Sequence, residues 1–116
     1  MTMKFNSNID SGILILTLSG NLIGEEIGTS LLEQATNALG VDVKLCAIDI
    51  SEVKYINSSG IGVLITILTK FRNQDGEVCL VNPSEHVKKL LIITKLNAIF
   101  SIENKMADAI SKLKHD

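Results

Sequence analysis

Residues 45–68 read LCAIDISEVKYINSSGIGVLITIL. This stretch decides the fold. Leu45 to Ile50 is a continuous apolar run broken only by Asp49, which suits a strand covered on both faces in a parallel or mixed sheet. Ile61 to Leu68 is apolar apart from Gly62 and Thr66, and its spacing predicts a helix over 59–73. Ile61, Leu64, Ile65, Leu68 and Phe71 share one face, and Val63 and Ile67 widen it, so the helix is expected to be buried on more than one side. A polar knot, Asn57-Ser58-Ser59-Gly60, separates strand from helix. Asp49 stands at the carboxyl end of the strand run, the edge at which sites gather in open α/β sheets.

Working outward, the flanking segments alternate in the same way. Residues 3–8 read as a weak strand, Asp10-Ser11-Gly12 as a turn and residues 13–19 as a second strand, together a hairpin. Gly24-Glu25-Glu26 opens a helix, with two carboxylates where its dipole favours them. Ile27, Leu31, Leu32, Ala35, Ala38 and Leu39 follow at helical spacing, and Gly40 is a natural stop. After the central unit, Gln74-Asp75-Gly76 ends the helix and Val78-Cys79-Leu80-Val81 reads as a buried strand. Pro83-Ser84-Glu85 opens a helix with Val87, Leu90 and Leu91 inside. Ile99-Phe100-Ser101 reads as a short last strand, and Met106, Ala109, Ile110 and Leu113 as an amphipathic closing helix. The order β-β-α-β-α-β-α-(β)-α implies an α/β domain with a mixed central sheet of four to five strands and helices packed on it.

Bulk composition fits one domain. The chain has 116 residues, 46% hydrophobic and 21% charged, with a net charge of −2 and interspersed signs. That size and composition can bury an aliphatic core without staples. The charge pattern lacks the basic face that nucleic-acid binding needs. Cys46 and Cys79 lie in strand-like apolar runs and read as small buried hydrophobes. No C-x-x-C pair occurs, so neither a metal nor a cofactor is expected. The N-terminal residues carry no apolar signal core, and the longest apolar run falls short of the ~20 residues that span a bilayer. A soluble cytoplasmic protein with no membrane partner is the expectation.

Catalytic groups do not converge. His86 reads as a solvated residue near a helix start, and His115 as part of a tail. A serine nucleophile would want the bracketed elbow G-x-S-x-G, but here the glycines follow the serines. No phosphate-cradling G-x-x-x-x-G-K-[ST] occurs. The plainest reading of Asn57-Ser58-Ser59 is an N-cap, for which Asn and Ser are preferred. That accounts for one of the three and leaves two adjacent hydroxyls beside Gly60 and Gly62 unexplained.

The string Asp49-Ile50-Ser51-Glu52-Val53-Lys54-Tyr55-Ile56-Asn57-Ser58-Ser59-Gly60-Ile61-Gly62-Val63-Leu64 resembles the signature of STAS domains of the anti-sigma factor antagonist family, roughly D-L-S-x-[VL]-x-[FY]-[IM]-D-S-[ST]-G-[IL]-G-x-L. Ile13 to Gly20 with Asn21-Leu22, Gly76 to Val81, and Val87 to Leu91 resemble the family's other strands and helix, so the likeness covers nearly the whole chain and implies a single STAS domain over residues 1–116. Two residues depart from the pattern. Asn57 replaces the usual Asp before the serine pair, and Ile23 replaces an Asp after the early strand. The resemblance implies a bacterial, cytoplasmic partner-switching regulator of transcription and not an enzyme. Ser58 is then the phosphorylated residue, and Asn57, Ser59, Gly60, Ile61 and Gly62 are contacts beside it. The implied partner is an anti-sigma factor that is also a serine kinase. It is bound by the unphosphorylated form, which frees a sigma factor, and released on phosphorylation; a serine phosphatase resets the switch. The alternative is a non-switching STAS scaffold subunit of a stressosome-like or transport-associated assembly, with an esterase-like enzyme third.

Overall fold

The computed structural model describes residues 3–23 and 25–115, with only the backbone described for 25–27. Ten elements follow in order: β1 (Lys4–Asp10), β2 (Ile13–Leu22), α1 (Glu25–Gly40), β3 (Leu45–Ile56), α2 (Ser58–Arg72), β4 (Glu77–Val81), α3 (Glu85–Ile93), a 3₁₀ turn (Leu96–Ala98), β5 (Ser101–Glu103) and α4 (Met106–His115). The strands form one five-stranded sheet in the order β1-β2-β3-β4-β5. β1 and β2 are antiparallel, and every later neighbour is parallel.

Side-chain alternation along the strands divides the core in two. On one face Leu14, Leu16 and Leu18 of β2, Cys46, Ile48 and Ile50 of β3, and Val78 and Leu80 of β4 meet Leu31 and Ala35 of α1, Leu64 and Phe71 of α2, and Val87 and Leu91 of α3. On the other face Ile13, Ala47, Cys79 and Val81 lie beneath Ala109 and Leu113 of α4. Both cysteines are free and buried. They occupy adjacent strands but opposite faces, because Cys46 pairs with Val78 and Cys79 with Ala47.

Several boundaries differ from those the sequence predicts, and neighbouring strands explain most of them. The first hairpin zips to Asp10↔Ile13 because Ser11 and Gly12 both take positive φ, 55° and 80°, the two-residue turn that matches strand twist. β1 therefore runs to Asp10 and not to residue 8. β2 continues through Gly20 and Asn21 to Leu22, since β3 offers partners as far as Ile56. β3 itself is twice the predicted length. The continuous apolar run stops where β4 stops, at Asp49↔Val81, so Asp49 marks the last rung shared with β4 and not the end of the strand. Beyond it β3 keeps only β2 beside it, and buried Val53 and Ile56 alternate with exposed residues.

Helix α2 begins at Ser58, one residue earlier than predicted, and ends at Arg72 with Asn73 as its C-cap. Its buried side is Gly60, Leu64, Ile67, Leu68 and Phe71, while Ile65, expected inside, is 37% exposed. The last strand is Ser101–Glu103, not 99–101: residues 96–98 form the 3₁₀ turn, Phe100 turns into the core and Ile99 is 39% exposed. His115 lies in the final turn of α4 and not in a tail. The helix opens at Pro83-Ser84-Glu85 as expected, with Ser84 as its N-cap; Val87 and Leu91 are buried, and Leu90 is partly buried against the core. Gly24 and the side chains of Glu25, Glu26 and Ile27 lie outside the described residues.

Candidate functional site

The polar knot sits where the long arm of β3 turns into α2. Asn57 is the N-cap, with extended backbone (φ −101°, ψ −176°), and its side chain accepts from the Gly60 amide at 2.9 Å. That satisfies one of the amides a helix start leaves orphaned. The Asn57 carbonyl accepts from Ile61 N at 2.9 Å and opens the helical ladder. Asn57 also reaches sideways: its backbone N donates to Leu22 O at 3.3 Å, and its Nδ2 donates to Ile23 O at 3.3 Å. One residue thus starts α2 and ties it to the end of β2.

Gly60 completes that seating. A Cβ built there would lie 2.0 Å from the Leu22 carbonyl oxygen and 2.9 Å from Leu22 Cγ. Only glycine lets the first turn of α2 rest directly on the β2 backbone. Gly62 differs, since a Cβ there meets nothing within 4 Å. Its cost to the helix is not repaid by packing among the described residues.

With Asn57 capping, neither serine is needed for it. Ser58 and Ser59 are the first two residues of α2, both exposed, and neither hydroxyl has a hydrogen-bond partner among the described residues. The first turn carries no acidic side chain. Two free hydroxyls therefore stand at the positive end of a fifteen-residue helix, where backbone amides and dipole favour an added anion.

Of the sequence-predicted site residues, the structure brings Ser58, Ser59 and Gly62 to the surface, half-buries Asn57, buries Gly60 and half-buries Ile61 against the main core. Three exposed apolar residues lie near these: Ile23, already noted for replacing a family acid, Tyr55 of the same motif, and Ile65, expected inside. Tyr55 is 50% exposed, Ile23 41% and Ile65 37%; Ile23 and Ile65 each continue an apolar run in sequence, and only topology puts them outside. Gly62 and Ile65 follow Ser58 at helical spacing, so the outer face of α2 runs from the serines over uncharged residues. The Thr66 and Thr69 hydroxyls on that face donate back to Gly62 O at 2.8 Å and Ile65 O at 2.9 Å, which leaves their methyl groups as the outward chemistry.

Asp49, upstream in the same motif, is braced locally. Its Oδ1 accepts from Ser51 N at 2.9 Å and Ser51 Oγ at 2.7 Å, which stiffens β3 where β4 leaves it. Other reactive groups stand apart. His86 is exposed on α3. Burial pushes the Cys79 thiol up to about 11, with Glu103 adding to the effect, and pushes Cys46 higher still, so neither supplies a thiolate near neutral pH. No cluster of His, Cys, Asp or Glu among the described residues could hold a metal ion. No helix among them is long and apolar enough to cross a membrane.

The model of the STAS domain family matches residues 4–109. The chain belongs to the STAS domain family. Among relatives, the anti-sigma-B factor antagonist of Bacillus subtilis is 35% identical over 66 residues, 57% of this chain and 58% of that protein. The anti-sigma-B factor antagonist of Listeria monocytogenes is 35% identical over 57 residues, 49% of this chain and 50% of that one. The chain thus spans little more than half the length of these curated relatives. Among solved structures, protein TM1081 of Thermotoga maritima superposes with a TM-score of 0.87 at 24% identity over 97% of this chain and 90% of its own. Unphosphorylated SpoIIAA, an anti-sigma factor antagonist, gives 0.75 at 14% identity over 97% and 100%. At these identities the structures show that the STAS domain shares their fold.

Proposed function

We propose that this STAS domain is a cytoplasmic anti-sigma factor antagonist that works by partner switching, with Ser58 as the switch. The carrying observation is the division of labour at the start of α2: Asn57 caps the helix, and Ser58 is exposed with no structural bond to lose. A phosphate there meets orphan amides and the helix dipole, so modification leaves the fold intact. It adds about −1.5 to −2 charges to a surface that is uncharged over the first turns of α2. A partner fitted to that surface loses affinity through repulsion and desolvation. The anti-sigma factor, itself a serine kinase, is both the partner and the source of the modification, and a serine phosphatase reverses it. Ser59, Gly60, Ile61 and Gly62 form the contact surface with Asn57. The STAS domain is the substrate of this chemistry and not its catalyst.

The test is incubation with a kinase-type anti-sigma factor from the same organism and ATP, followed by peptide mapping and calorimetry. Phosphate is expected on Ser58. Ser58→Ala is expected to bind the anti-sigma factor and stay bound, and Ser58→Asp to bind weakly. If Ser58→Asp binds as tightly as Ser58→Ala, with both folded, the switch is wrong and the non-switching scaffold replaces it. Two residues favour that second reading: Ile23 and Asn57 stand where the family carries acids, and the amide of Asn57 is engaged with the Ile23 carbonyl.

A further inference from the structure

The two edges of the sheet are unequal. β5 has three residues, whereas β1 has seven, Lys4–Asp10, in regular register with β2 along its whole length. Among the described residues nothing pairs with the outer edge of β1. It has no proline and no bulge, and Ile9 on it is 51% exposed. Proteins ordinarily protect such an edge, because its free amides and carbonyls template another strand.

The sequence of β1, KFNSNID, is close to a chemical palindrome. Laid antiparallel against itself with Ser7 at the centre, Lys4 faces Asp10, Phe5 faces Ile9, Asn6 faces Asn8 and Ser7 faces Ser7. Cation meets anion, apolar meets apolar and amide meets amide. The geometry permits this register. In a two-residue hairpin the residues flanking the turn exchange both backbone bonds, so Asp10 bonds toward β2, as do Asn8, Asn6 and Lys4. Phe5, Ser7 and Ile9 then present their amides and carbonyls outward, and these three face one another across the proposed seam. The facing side chains also share a face: Lys4 and Asp10 lie on the α4 side of the sheet, and Phe5 and Ile9 on the α1 side, where Phe5 packs on the core.

We infer that β1 pairs with β1 of a second copy of this chain about a two-fold axis through Ser7, making one continuous ten-stranded sheet. The contact is isologous, so it closes at two copies. The charged ends select the register, because sliding the strands separates both Lys4–Asp10 pairs. The Ser7 hydroxyl already donates to Gln34 Oε1 at 2.9 Å and needs nothing from the second copy. A seam one strand wide buries less than the ~1,000 Å² of a stable interface, so the association is weak and rises with concentration. It uses no residue of the Asn57–Gly62 segment and stands apart from the switch.

Sedimentation equilibrium across a wide concentration range tests this with a charge swap. The unsubstituted chain is expected to dimerise with rising concentration. Lys4→Asp and Asp10→Lys each place like charges opposite at both ends, and each alone is expected to weaken dimerisation roughly tenfold or more. Both positions are exposed, so both variants should fold. An equal mixture of the two restores opposite charges at both ends, and native mass spectrometry should show the mixed dimer in preference to either homodimer. A strictly monomeric unsubstituted chain, a dimer undiminished by both substitutions, or a mixture with no heterodimer preference would each overturn the inference.

Discussion

Two junctions in this molecule carry a strand into a helix through a stretch that holds both Asn and Ser. At β4 to α3 the stretch is Asn82-Pro83-Ser84-Glu85; at β3 to α2 it is Ile56-Asn57-Ser58-Ser59. At the first, Ser84 is the N-cap, its hydroxyl accepting from Val87 N at 3.3 Å. Glu85 fills the first turn with negative charge and meets Lys88 at 3.6 Å. Here the serine is occupied and the helix end is already neutralised. At the second, Asn57 does the capping, both serines are free and no acid complements the dipole. The difference teaches that a serine at a helix start is informative only once the cap has been assigned. One junction is a finished structural device. The other leaves its helix dipole without a complementing acid.

The largest test of this contrast is steric. Gly60→Ala drives a methyl group against the Leu22 carbonyl and should cost about 3 kcal/mol in urea denaturation. Gly62→Ala enters open space and should stabilise by up to ~1 kcal/mol. Equal effects at the two glycines would show that α2 is not seated on β2. Next come the caps. Ser84→Ala should cost about 1 kcal/mol. Asn57→Ala should cost more, up to about 2 kcal/mol, because the tie to Ile23 O goes with the cap. A smaller loss at Asn57 than at Ser84 would reverse the assignment of roles.

Asn57→Asp sharpens the comparison further. The acceptor for Gly60 N survives and the new charge suits the helix dipole, but the donor to Ile23 O is lost. The opposing effects should leave stability within about 1 kcal/mol, while the proposed phosphorylation of Ser58 by a kinase-type anti-sigma factor should quicken. Unchanged labelling would mean that the acid is not what this chain lacks. The smallest effects belong to the serines. Ser58→Ala and Ser59→Ala should each shift stability by less than about 0.5 kcal/mol, as exposed changes do, against the larger loss at Ser84. A cap-sized loss at Ser58 would return it to a structural role.

Much of this was legible in the sequence. The buried runs at 45–50 and 78–81 and the helices after them were readable because two-sided burial demands unbroken apolar character. The helix opening at Pro83-Ser84-Glu85 was readable because the helix behind it is simply amphipathic. At residues 57–59 three good cap residues stand in a row, and propensity cannot choose among them; the choice depends on Leu22 and Ile23, distant in sequence, which hold Asn57 from the side. The outward position of Ile65 is hidden in the sequence for a related reason. An all-round apolar helix does not declare which side meets the sheet. The reach of β3 past Asp49 was hidden because residues 51–56 lose the apolar signature once only one neighbour remains.

That one-sided stretch has a mechanical consequence. From Ser51 to Ile56 the strand is laddered to β2 alone, with two slips of register on the way, and α2 is pinned at its start to the same end of β2. Behind that pinned start, α2 is packed through Leu64, Ile67, Leu68 and Phe71 on the main core. A pull on the serine pair is therefore shared between the end of β2 and the core beneath α2, and the serines sit on a rigid mount.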